Sequence, residues 1–163
     1  MDPFILHDLE EIAPDLLDAL RQRGLTLATA ESCTGGNIAH HITLVPGCSD
    51  LYFGGAVTYA NEAKINILGV DKTLIDTHGA VSEEVVRAMA EGACRAFATT
   101  CAVATSGIAG PGGGTDYKPV GTVWTAIHTP AGTVSQLYHL AGPRAEIIDK
   151  ATLLVLRLLY NHL

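Results

Sequence analysis

Residues 28–36 read "ATAESCTGG". An apolar approach ends in a carboxylate, Glu31, followed by two side chains able to act as nucleophiles, Ser32 and Cys33. Thr34 and the glycine pair Gly35-Gly36 complete the stretch. Such a cluster suits acyl chemistry: a hydroxyl or thiol attacks a carbonyl carbon while backbone N–H groups of the turn receive the developing oxyanion. It equally suits a plain strand-to-helix turn in which Ser32 or Thr34 caps the next helix. The stretch is not the G-x-S-x-G elbow, because Ala30 stands at the first glycine position. No S-x-x-K begins at Ser32 either. Cys33 is intrinsically the better nucleophile, so the residue types alone leave both open.

Three further stretches carry chemistry. In "TYANEAK" (58–64), Tyr59 and Lys64 bracket a second strand-to-helix junction, and the whole chain has only four lysines. A lysine whose pKa is lowered by burial can take a proton from a hydroxyl, with Tyr59 relaying the proton or holding the amine. In "TSGIAGPGGGTDYKPVGT" (105–122), six of the first ten residues are glycine or proline. It follows a strand pattern, the place where α/β sheets bind ligands, and glycines let backbone N–H groups reach an anion. The loop matches neither G-x-x-x-x-G-K-[ST] nor G-x-G-x-x-G. A connection this long in a compact domain is usually functional, and Gly112 within it is expected at positive φ beside the anion. Arg144 opens the last helical stretch, where a cation opposes the helix dipole unless it holds an anion.

These groups need a scaffold, and 163 residues suffice for one domain with a core of its own. Net charge of −7 supplies no basic footprint for nucleic acid. Four cysteines without C-x-x-C, and neighbouring His40-His41 that diverge on a helix, give no metal-ligand spacing, so no metal and no cofactor are expected. The acidic start "MDPFILHDLEE" is unlike a signal peptide, and no apolar run approaches ~20 residues, so a cytoplasmic protein without membrane contact is expected.

Periodicity sets the order of elements. Residues 5–23 repeat apolar positions Leu6, Leu9, Leu16, Leu17 and Leu20 at helical spacing, with a break expected near Pro14. Strand patterns cover 25–31, 53–60 and 101–107, and helix patterns cover 35–45, 61–69 and 82–98. Ser82 is the expected N-cap of the last of these, and Gly69 the stop of the one before it. "VGTVWTAIH" and "TVSQLYHL" bracket the turn "TPAG" as an antiparallel hairpin, and Pro143 starts a final helix. Helices alternating with strands and ending in a hairpin predict a single α/β domain, a three-layer α/β/α sandwich with a mixed sheet.

Together "AESCTGG", "YANEAKINILGV", "HGAVSEEV", "SGIAGPGGGTDYKPVGTV" and the closing helix resemble the CinA C-terminal domain family, in order and from about residue 10 onward. No molybdopterin-binding-like domain of full-length CinA precedes them, so the resemblance implies the stand-alone enzyme type, one domain over 1–163. It implies hydrolysis of the carboxamide of nicotinamide mononucleotide (NMN) to nicotinate mononucleotide and ammonia. By motif, Ser32 is the nucleophile, Tyr59 and Lys64 assist it, and Gly107, Gly110, Gly112 and Gly113 lie in the substrate loop with Thr105 at its start. Thr34, Gly35 and Gly36 are expected to offer oxyanion N–H groups, and Arg144 to meet the phosphate. Many members of the family carry a second basic residue four positions after that arginine, where this chain has Ile148. The expected partner is a small molecule, with homo-oligomerisation left open. The alternative is a non-catalytic binding module associated with competence or DNA damage.

Overall fold

Small and β-branched residues form five strands in the computed structural model, which describes residues 3–163. The side chain of Leu6, expected on the first helix's apolar face, lies outside that description. The strands are β1 (Leu27–Glu31), β2 (Tyr52–Val57), β3 (Cys101–Gly107), β4 (Thr122–Thr129) and β5 (Gly132–His139), in the order β2-β1-β3-β4-β5. β1 pairs in parallel with both β2 and β3, so Glu31 stands level with Val57 on one side and Thr105 on the other. The turns leaving these three strands therefore meet at one end of the sheet, the usual ligand-binding edge of a parallel sheet. β4 and β5 add the antiparallel hairpin, with Gly107 opposite Val123. The sheet is mixed, as expected.

Strand alternation divides the apolar residues between two layers. Ala28, Ala30, Ala102, Ala104 and Ala126 make one face of small side chains. Against it lies α5 (Glu83–Phe97), burying Val85, Val86, Met89, Ala90 and Ala93. The helix before it in space, α3 (Asn61–Leu68), approaches so closely that a Cβ on Gly92 would fall 2.1 Å from the Leu68 carbonyl oxygen. The opposite face presents Leu27, Cys101, Val103 and Ile127. It is covered by α1 (Pro3–Gln22), α2 (Asn37–Thr43) and α6 (Arg144–Tyr160) through Leu16, Leu20, Ile38, Ile42, Val155 and Leu156. The result is the α/β/α sandwich of a single domain.

Local signals perform as expected in most places. The Ser82 hydroxyl accepts from Val85 N at 3.4 Å, and Gly69 ends α3 at φ 67°. One expectation is corrected. α1 runs unbroken through Pro14. A proline in a helix interior costs ~3 kcal/mol, but burial of Leu9, Ala13, Leu16, Leu17 and Leu20 along the same helix outweighs that. Beyond α3 a short helix, α4 (Lys72–His78), follows without a periodic signal in the sequence, and Asp71 caps it by accepting from Thr73 N at 2.9 Å.

Candidate active site

β1 ends at Glu31, and the chain then turns through Gly35 (φ 61°) and Gly36 (φ 101°), left-handed conformations that a side chain would strain. This turn folds the Glu31 carboxylate, 1% exposed, under the start of α2. One oxygen accepts from Thr34 Oγ1 at 2.7 Å, Gly36 N at 3.2 Å and Ile38 N at 2.9 Å, and the other from Ala39 N at 3.0 Å. The expectation that Ser32 or Thr34 caps this helix is corrected, since Glu31 takes those N–H groups instead. Ser32 is left free to face elsewhere.

It faces Lys64. The ammonium group lies 3.1 Å from Ser32 Oγ, 2.7 Å from the Thr58 carbonyl oxygen and 3.3 Å from that of Tyr59. Lys64 is among the largest fully buried side chains of the protein, and no carboxylate pairs with it among the described residues. Burial accordingly holds its pKa below the usual lysine value. A neutral amine has two hydrogens and one lone pair. Lys64 Nζ donates to Ser32 Oγ in this structure; in the neutral form, with the two carbonyls taking its hydrogens, its lone pair would be left for the Ser32 hydroxyl, the arrangement a general base requires.

Cys33 turns the other way. It is packed with Ala109, Val123, Ile147 and Ala151, and burial pushes its thiol up to about 12. A thiol so placed is un-ionised at neutral pH. The geometry thus separates two neighbours that the residue types left equal.

Beside this dyad lies a cavity of about 220 Å³ lined by Cys33, Tyr59, the loop over residues 107–113 and Arg144. Ser32 and Lys64 are not among its lining residues, but their chain neighbours Cys33 and Tyr59 are. Arg144 donates to the Gly110 carbonyl oxygen at 2.8 Å and to the Tyr59 hydroxyl at 2.8 Å. Neither partner is an anion, and no carboxylate lies within salt-bridge distance of the guanidinium among the described residues. The glycine-rich loop is pinned at its base by Ile108 N to Thr122 O at 2.9 Å and Gly121 N to Ile108 O at 2.7 Å. Its far end is held by Lys118 Nζ on the His78 carbonyl at 2.8 Å. Two larger hollows, about 560 and 280 Å³, lie against α1 and include neither member of the dyad.

The CinA C-terminal domain model matches residues 9–163. The chain belongs to the CinA C-terminal domain family. A CinA-like protein of Geobacter sulfurreducens is 54% identical over 78% of the chain, and one of Mycobacterium avium is 50% identical over 83%. The chain spans about a third of the length of these curated relatives, 31% and 32% respectively. Among solved structures, the competence/damage inducible protein CihA from Agrobacterium tumefaciens superposes with a TM-score of 0.90 at 40% identity, covering 93% of each chain. A CinA superfamily protein from Escherichia coli reaches 0.92 at 34% identity, covering 95% of this chain and 90% of its own.

Within this CinA-family domain the residues singled out from sequence fall into three groups. Ser32 and Lys64 are together, and Tyr59 meets Lys64 through its backbone carbonyl, while its exposed hydroxyl serves Arg144. Gly107, Gly110, Gly112, Gly113 and Arg144 share the cavity. Gly112 departs from expectation: the left-handed positions are Gly110 (φ 78°) and Gly113 (φ 86°), and a Cβ on Gly112 would meet nothing within 4 Å. Thr105 is fully buried, with its hydroxyl 2.8 Å from that of Thr34, so both hydroxyls lie beneath the turn. Gly36 N is taken by Glu31, Gly35 N by the Ser32 carbonyl and Ser32 N by the Thr105 carbonyl. The N–H groups of Cys33 and Thr34 donate to no other residue among those described. Ile148 packs on the apolar cluster around Cys33. Sequence reasoning missed the work of Glu31; the signal was a carboxylate directly before a Gly-Gly turn with no basic residue near it in sequence.

Proposed function

We propose that the protein is an amidohydrolase that uses Ser32 as nucleophile and Lys64 as base, and that its substrate is NMN. The observation that carries the chemistry is Lys64: a buried amine without a carboxylate partner, held by two carbonyls 3.1 Å from a serine hydroxyl. The substrate assignment rests on the family resemblance and on a cation beside a glycine-rich loop. In the first step Ser32 Oγ bonds to the carboxamide carbon as its proton passes to Lys64 Nζ. The free N–H groups of Cys33 and Thr34 donate to the resulting oxyanion. Lys64 then returns the proton to the leaving nitrogen, the C–N bond breaks, and ammonia departs from an acyl-serine ester. Water attacks that ester with Lys64 again taking a proton, and Ser32 recovers its hydrogen as the carboxylate product forms. Arg144 and the loop N–H groups hold the 5′-phosphate, which fixes the amide over Ser32.

Ammonia release from NMN, nicotinamide riboside and free nicotinamide tests this reading. The nucleotide is expected to react fastest, and Ser32→Ala to abolish release while the protein stays folded. Full turnover by Ser32→Ala would overturn the serine mechanism. Equal rates on all three substrates would overturn the nucleotide assignment, and no release from any would favour a binding module.

A further inference from the structure

The Glu31 carboxylate does more than end a helix. A helix start needs one or two N–H groups capped, usually by a short side chain at the N-cap itself. Here a longer carboxylate reaches forward from the last residue of β1 and gathers four donors spread over residues 34–39. All four belong to the turn after Ser32 and the helix that follows it, so the carboxylate ties no distant element into the core. No cation lies within salt-bridge distance of it among the described residues. Its charge is met by backbone dipoles and one hydroxyl alone, a network whose members must all be satisfied.

That network reaches the nucleophile, and the backbone of the same residue reaches the base. On the nucleophile side, Thr34 Oγ1 bonds Glu31 and lies 2.8 Å from Thr105 Oγ1, while Ser32 N donates to the Thr105 carbonyl at 3.0 Å. On the base side, the Glu31 carbonyl accepts from Thr58 N at 2.8 Å, and the Thr58 carbonyl in turn holds Lys64 Nζ at 2.7 Å. By consuming Gly36 N and the Thr34 hydroxyl, the carboxylate also leaves Cys33 N and Thr34 N as the free donors of the turn. We propose that Glu31 is a positioning residue whose buried carboxylate holds the 32–36 turn so that the Ser32 hydroxyl stays within reach of Lys64. This rests on the Ser32–Lys64 reading of the site.

The test compares wild type, Glu31→Gln, Glu31→Ala and Thr34→Val by two measurements. One is the rate at which a small fluorophosphonate labels Ser32, located by mass spectrometry; the other is kcat and KM for ammonia release from NMN. Misplacement of a nucleophile by about 1 Å costs roughly 100-fold. Glu31→Gln is expected to lose about that much in kcat and in labelling rate, with KM within about threefold of wild type. Thr34→Val, which removes one donor, is expected to lose less in the same direction. Formate should fit among the four donors left by Glu31→Ala and raise its rate at least about tenfold, whereas chloride at equal ionic strength should not. If Glu31→Gln instead leaves a smaller fraction of molecules that the reagent can label, while untreated enzyme turns over normally per labelable site, Glu31 is merely structural and the proposal falls. Wild-type rates in Glu31→Gln would overturn it equally, and if that variant does not fold, Thr34→Val at wild-type rate does so. Labelling at Ser32 without ammonia release would sink the substrate assignment and leave the labelling comparison to judge Glu31. Failure of wild type to label at Ser32 would overturn both.

Discussion

Lys64→Met removes the proposed base while keeping most of the side chain's length. Loss of a general base lowers rates by about 10²–10⁴-fold, or roughly 3–5 kcal/mol of barrier. The upper half of that range is expected here, because no other basic side chain hydrogen-bonds Ser32 Oγ among the described residues. Stability should respond less simply. The Thr58 and Tyr59 carbonyls lose their donor, at about 1–3 kcal/mol for each buried unsatisfied group, while the burial penalty of the ammonium disappears. The pH dependence separates the two effects. With Lys64 acting unprotonated, as proposed, and its pKa lowered by burial, kcat/KM should rise with pH through that lowered value and level off above it. Between the lowered folded value and the ordinary ~10.4, the unfolded chain binds more protons than the folded one, so this contribution to stability increases with pH across that window. Lys64→Met should lose both slopes. Lys64→Arg, charged in both folded and unfolded states throughout, should lose both as well. The assay is ammonia release from NMN between pH 6 and 10, with urea unfolding in parallel. Lys72→Met is the control, a lysine 70% exposed and paired only with Asp76. Lys64→Met retaining more than about a tenth of wild-type kcat/KM, with an unchanged pH profile, would refute the dyad.

Cys33→Ala should keep normal turnover and lose about 1 kcal/mol of stability, as for a small buried group removed from an apolar cluster; loss of activity alone would transfer the nucleophile to Cys33. Arg144→Ala should lower kcat/KM for NMN by about 10–150-fold, the worth of a charged hydrogen bond of ~1.5–3 kcal/mol, and leave nicotinamide riboside nearly unaffected. Equal penalties on both substrates would make Arg144 structural. Gly92→Ala should lower the melting temperature and also kcat, because its Cβ would press on the Leu68 carbonyl of the helix that carries Lys64; about 1–3 kcal/mol is expected from such overpacking. In the loop, Gly112→Ala should be silent in thermal melts, whereas Gly110→Ala should destabilise, its φ being 78° with Val120 2.5 Å from the new Cβ.

Much of this architecture is legible in local pattern. The buried run Cys101–Gly107, the Ser82 cap of α5, the Gly69 stop and the closing hairpin each follow from periods and caps that act within a few residues. The chemistry-bearing residues were legible too, as types: a nucleophile pair at one junction, a scarce lysine at the next, a glycine-rich loop and an arginine at a helix start. The competition between Pro14 and the apolar face of α1 was not, because it depends on how much surface that face buries against the sheet and α6. Nor could one sequence position choose between Ser32 and Cys33. That choice follows from the left-handed Gly35-Gly36 turn, from the Glu31 carboxylate beneath it, and from Val123 and Ile147, about a hundred residues away, which receive the thiol. The register of β1 between β2 and β3 then brings Ser32 beside the junction that carries Lys64. Residue types and local periods are properties of the chain, but which way a side chain points at a turn is decided by the partners that bury it, and only the folded sheet brings those together.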